Sequence, residues 1–182
     1  MIRIAPTCVA LTLLATAAAA QGEEAKIEEA LSAAPPQLRD DVTVRDLDGT
    51  LLREGDGDYV CMPAPEGFAG AMCLDGPWMN WFAAYQAQED FTPTRIGISY
   101  MLAGDSPGGG ASNIEPYARA PTPDNDWVVE GPHVMIIVPD DGILEGLPET
   151  PATDGPYVMW PDTPYAHIML PVDARPEQRP ID

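Results

Sequence analysis

Apolar residues recur at helical spacing through EEAKIEEALSAA, residues 23–34, at Ile27, Ala30, Leu31 and Ala34, with glutamates at many of the remaining positions. Glu23 and Glu24 fall in the first turn, where the helix dipole favours negative charge, and Pro35-Pro36 ends the run. The pattern predicts an amphipathic N-terminal helix. Three short runs follow, VTVRDL, TLLRE and DYVCM, separated by Asp-Gly pairs, and they read as a small antiparallel meander. After Cys73 the period returns to 3.6. Asp75 is placed to cap a helix with Pro77 in its first turn, and Trp78, Trp81, Phe82 and Tyr85 fall on one face of it. Such a stripe suits a helix packed on a sheet better than a carbohydrate platform. RIGISYMLAG, WVVEGPHVMIIVPD, GPYVMW and YAHIMLPV supply the later strands, with a short helical turn near Ile143 to Leu147. Between them, residues 105–126 form a long loop rich in Gly, Pro and Asp. The predicted fold is α+β: a mostly antiparallel sheet of about seven strands, an N-terminal helix and one aromatic amphipathic helix.

Composition changes this picture at the N-terminus. Residues 1–20 carry Arg3, a short apolar run from Val9 to Ala15 and an Ala18-Ala19-Ala20 cleavage pattern, which together read as a secretory signal peptide. The expected organisation is a signal over 1–20, the helix and a linker over 21–41, one globular domain over 42–172 and a flexible tail over 173–182. Cys8 leaves with the signal, so Cys61 and Cys73 remain as an even pair and read as a disulfide in an oxidising compartment. The protein is expected to be periplasmic or secreted, with no membrane contact after cleavage. The formal charge of −20 repels phosphate backbones and anionic lipid, which removes nucleic acid from the candidate partners. An extracytoplasmic partner or a small ligand remains.

Several segments invite a catalytic reading. DLDGTLL (Asp46 to Leu52) fits the Asp-x-Asp-Gly-Thr signature of haloacid-dehalogenase-type phosphotransferases. That chemistry needs a buried parallel strand before the first Asp and a cation downstream for the phosphate. Here Arg45 directly precedes Asp46 and the single lysine, Lys26, lies upstream, so the segment reads as an Asp-Gly hairpin. The clusters at Asp56-Gly57-Asp58 and Asp124-Asn125-Asp126 do not complete a calcium loop, and Ser99 lacks the second glycine of a nucleophile elbow.

The two histidines carry the most informative pattern. GPHVMI and GPYVMW are near copies, and YAHIML repeats the His-x-Met element. In a strand, alternate side chains share a face, so His133, Met135 and Ile137 lie together, as do Tyr165, His167 and Met169, and Tyr157 with Met159. The opposite faces (Val134, Ile136, Val138; Ala166, Ile168, Leu170) are apolar and are the predicted core side. Imidazole and thioether are soft ligands suited to Cu(I), so His133, Met135, His167 and Met169 form a candidate copper set. The plainer alternative is that Met fills core and each His bonds a neighbouring backbone group.

These motifs, with MCLDGPWMNW and ISYMLAGD, resemble an uncharacterised family of exported bacterial proteins over about residues 42–172. The resemblance implies export and a shared fold, and it carries over no catalytic residue. The leading reading is therefore a non-catalytic binding or accessory module without a resident cofactor. A periplasmic copper-binding protein is the alternative. A third reading is an enzyme with His133 or His167 as base beside Tyr157, Tyr165 or an Asp of the long loop.

Overall fold

A computed structural model describes residues 9–65, 69–151 and 155–178, with side chains from residue 21 onward. Residues 1–8 of the expected signal segment lie outside the described residues and residues 9–20 are described as helical backbone only, while residues 179–182 of the expected tail also lie outside. Two helices, α1 (Val9–Ser32) and α2 (Gly76–Ala87), pack with a sheet of eight strands. The strands are β1 (Thr43–Arg45), β2 (Leu51–Arg53), β3 (Val60–Met62), β4 (Met72–Leu74), β5 (Gly97–Met101), β8 (His133–Ile137), β9 (Tyr157–Met159) and β10 (His167–Pro171). A separate two-stranded ribbon joins β6 (Ala111–Ser112) to β7 (Trp127–Val128). The order across the large sheet is β2-β1-β3-β4-β5-β8-β10-β9. The architecture is α+β and mostly antiparallel, as the periodicities predict.

One pairing departs from the predicted meander. β1 and β2 form the expected hairpin, but β3 lies parallel to β1 on its other side. The Asp-Gly connector between β2 and β3 does not make a tight turn; it crosses the chain just before β1. Gly57 donates its N–H to Asp41 O at 2.7 Å, and a Cβ on Gly55 would come within 2.4 Å of the Asp41 and Val42 backbone. These glycines serve close backbone approach rather than hairpin geometry. Cys61 and Cys73 are directly opposed on β3 and β4 and are joined by a disulfide.

The sheet is covered on two faces, and β4 shows how its sequence divides between them. Ala71 and Cys73 join Ala30, Ala33, Ala34, Val42, Val44 and Cys61 in a core beneath the last turns of α1. Met72 and Leu74 point the other way, into a larger core with Trp78, Trp81 and Tyr85 of α2. The N-terminal helix is thus docked by its small residues, and Leu102 N–H donates to Ala33 O at 3.2 Å. Asp75 caps α2 from Trp78 N–H at 3.0 Å, and its second oxygen accepts from Ile98 N–H at 2.7 Å, which ties the helix to β5. β2 and β9 are the edges of the sheet, and Val158 of β9 gives its outward N–H to Pro148 O at 2.8 Å.

The faces of β8 and β10 are the reverse of the expected ones. His133, His167 and Met169 point into the α2 core and are nearly inaccessible, while Val134, Ile136, Ile168 and Leu170 are only half-buried. Both faces alternate plausibly in sequence, and the broad aromatic face of α2 decides between them by covering the His/Met side.

Candidate functional site

Between α2 and the inner face of the sheet lies a cavity of about 90 Å³ with an almost wholly apolar wall. Strand register places its lining. Met101 on β5 opposes His133 on β8, Met135 opposes Met169 on β10, and His167 opposes Met159 on β9. Met72 of β4 completes the set, so five of the eight methionines of the chain meet here. Trp78 and Trp81 from α2, and Trp160 after β9, close the other side. All three indoles surround the His167 ring, at centroid distances of 5.3, 5.7 and 5.3 Å and with planes 81–82° away from its own. The four residues of the candidate copper set all line this one cavity.

The histidines do not sit side by side. His133 pairs with Pro171, four residues from His167 along β10, which separates the two Cα atoms by about 14 Å. The Met135–Met169 pair fills the row between them. Each ring is fixed in the same way by its own strand. Nδ1 of His133 lies 2.7 Å from Gly131 O and Nδ1 of His167 lies 2.9 Å from Tyr165 O. A carbonyl can only accept, so each Nδ1 carries its hydrogen and each Nε2 is left with a lone pair. Burial pushes both histidines down, His167 to about 4 with a lesser contribution from His133, so both rings are neutral at ordinary pH. Nε2 of His167 is buried with no hydrogen-bond partner, and so are Nε1 of Trp78 and Nε1 of Trp81. Three unpartnered polar atoms around one cavity depart from the usual satisfaction of buried groups.

The His133 end is polar. The Glu130 carboxylate accepts from Tyr157 O–H at 2.7 Å and from Arg175 Nε at 2.7 and 2.9 Å, and the guanidinium lies 5.2 Å over the Tyr157 ring. Asp105 exchanges two bonds with Glu130: its carboxylate takes the Glu130 N–H at 2.7 Å and its own N–H meets Glu130 O at 2.9 Å. Burial raises the Asp105 carboxyl to about 6, opposed by the Glu130 N–H bond and assisted by the Glu130 charge. Arg175 and Gln178, from the stretch expected as tail, bind this end of the domain. Arg175 reaches Pro151 O as well as Glu130, and Gln178 brackets the backbone of Val129 at 2.9 Å on both N and O.

The long loop lies over the other end. Tyr85 O–H donates to Pro116 O at 2.7 Å, Tyr117 O–H donates to Tyr165 O–H at 2.6 Å, and Trp160 Nε1 donates to Ser112 O at 2.6 Å. Tyr165 O–H is further engaged with Glu89 O at 2.7 Å, so the two tyrosines considered as catalytic partners both have occupied hydroxyls. Elsewhere, Asp46 pairs with Lys26 and accepts from Leu47 N–H, and Asp48 accepts from Thr50 N–H, which makes DLDGTLL a surface hairpin turn. Asn125 spends its amide on Thr122 and Ala120 within its own turn. Among the described residues, no three His, Cys, Asp or Glu come together as a metal cluster.

No family model, curated protein or solved structure matches the chain. The site therefore rests on its own geometry. Sequence reasoning found both histidines and two of the methionines. It did not single out Met72, Met101, Trp160 or Glu130 for this site, because their meeting depends on a register that pairs strands distant in the chain. The missed signal was the high share of Met at inward strand positions, where Leu or Ile would fill a core with fewer adaptable rotamers.

Proposed function

We propose that the protein is an exported, non-catalytic binding module whose ligand occupies the cavity between α2 and the sheet. The observation that carries this reading is the buried, unpartnered Nε2 of His167 in a cavity walled by five thioethers and three indoles. Ligand sites are concave and mostly apolar with few polar groups, and this one has that character. Export is supported by the signal-like pattern of residues 1–20, by the resemblance to exported proteins and by the bridged cysteine pair. No described helix is long and apolar enough to cross a membrane. The non-catalytic part is supported by the state of the two candidate groups at the His167 end. A histidine that protonates only near pH 4 is a weak general base at neutral pH, and the neighbouring hydroxyls of Tyr157 and Tyr165 are already bonded.

Xenon is a suitable probe, since it fills apolar cavities without needing a polar partner. With methyl-labelled methionine, xenon pressure is expected to shift the resonances of Met72, Met101, Met135, Met159 and Met169 and to leave those of Met62 and Met79 in place. Methyl spectra that do not respond would remove the cavity as a ligand site. Turnover in a broad hydrolase screen would overturn the non-catalytic half.

A further inference from the structure

We infer that the His167 end of this cavity is a Cu(I) site, with His167 Nε2 and the thioether sulfurs of Met159, Met169 and Met135 as its donors. The inference rests on the binding-module reading and supplies its ligand. His167 is 1% exposed, and its Nδ1–H is tied to Tyr165 O, which leaves Nε2 on the far side of the ring from its own strand. A ligating histidine is normally oriented in this way, by a hydrogen bond from its other nitrogen to a carbonyl or carboxylate. That bond is already made here, while the lone pair it orients has no protein partner. Three methionines neighbour His167 by register and line the same cavity. Met159 is its direct cross-strand neighbour, Met169 is the next residue on the same face of β10, and Met135 faces Met169 from β8.

The donor set selects the ion. The carboxylates that line the cavity, Asp105 and Glu130, lie at the His133 end, one of them engaged by Arg175 and Tyr157. Hard cations such as Ca²⁺ and Mg²⁺ need oxygen ligands, and structural Zn²⁺ sites use thiolate, imidazole or carboxylate. Imidazole with neutral thioethers instead suits a soft monovalent ion. Both described cysteines are consumed in a disulfide, so among the described residues no thiolate competes for it. The indole rings of Trp78 and Trp160, each 5.3 Å from the imidazole, shield it from water. His133, about 14 Å away at Cα, is not a donor to this ion.

The test is an anaerobic Cu(I) titration of the disulfide-intact protein in competition with bathocuproine disulfonate. The comparison is wild type against Met159→Leu/Met169→Leu, which keeps apolar volume, and against His167→Ala and His133→Ala. One equivalent of Cu(I) is expected in wild type and in His133→Ala. Affinity should fall by about 100-fold or more in the methionine pair and in His167→Ala. Ag(I) should move the Met135, Met159 and Met169 methyl resonances ahead of the others. If His167→Ala does not fold, the Leu pair still decides the matter, because Met-to-Leu exchange conserves the core. Equal Cu(I) affinity for wild type and the Leu pair overturns the site. A wild type that takes up xenon but no Cu(I) also overturns it, and leaves the binding cavity standing. Failure of both probes ends both.

Discussion

Asp105 carries a charge that works against the fold. Its unfolded carboxyl ionises near 3.8 and its folded one near 6, because burial disfavours the anion. The folded state therefore holds a proton over a range where the unfolded state has released it, and this group's contribution to stability declines as pH rises from about 4 to 6. Asp105→Asn keeps an acceptor for the Glu130 N–H and removes the charge. It is expected to raise the unfolding free energy by about 1–3 kcal/mol at pH 7.5, with the gain fading below pH 4. Urea unfolding of both proteins across that range measures it. A variant no more stable than wild type at pH 7.5 would contradict the assignment. Comparing the two proteins also cancels the opposite titration of His133 and His167, which both lower stability as pH falls below their ordinary value. At this scale the sequence was readable for identity and silent on direction. His133-x-Met135 and His167-x-Met169 are visible as motifs, but both faces of their strands are apolar enough to be core. Periodicity cannot say which face α2 will cover.

Single elements were more legible than their pairings. The aromatic stripe, the Asp75 cap and Pro77 define α2 because helix signals are local, and the structure buries Trp78, Trp81 and Tyr85 as that stripe requires. The same local signals failed between β2 and β3. Asp-Gly pairs mark a turn but not whether the next strand continues a meander or crosses over, and here Gly55 and Gly57 pack on the chain before β1. Asp75 has a role beyond its helix, because one carboxylate satisfies an α2 N–H and the Ile98 N–H of β5 together. Asp75→Ala removes both bonds and is expected to cost about 2–3 kcal/mol, more than a simple cap. Native-state hydrogen exchange should show the loss in the first turn of α2 and at Ile98. Exchange quickened in the helix alone would refute the shared role.

Across the whole molecule, the disulfide and the cavity occupy opposite faces of the sheet. Cys61 and Cys73 sit under α1, while Met72 and Leu74, their neighbours in β4, face α2. Cys61→Ala/Cys73→Ala is expected to lower stability by about 3 kcal/mol for a separation of 12 residues, while xenon and Cu(I) uptake persist. Loss of uptake in a folded double variant would show the two faces to be coupled. The acidic surface, with 29 Asp and Glu against 9 Lys and Arg, keeps copies of the chain apart through long-range repulsion. Short-range protection comes from the ends of the sheet. Any open sheet can recruit another molecule strand to strand, which is the first step of fibril growth. At β2 only three residues are offered. At β9 the Val158 N–H is already spent on Pro148, so an arriving strand meets an occupied donor beside a proline-bearing segment. The backbone at both edges thus guards the chain against polymerisation.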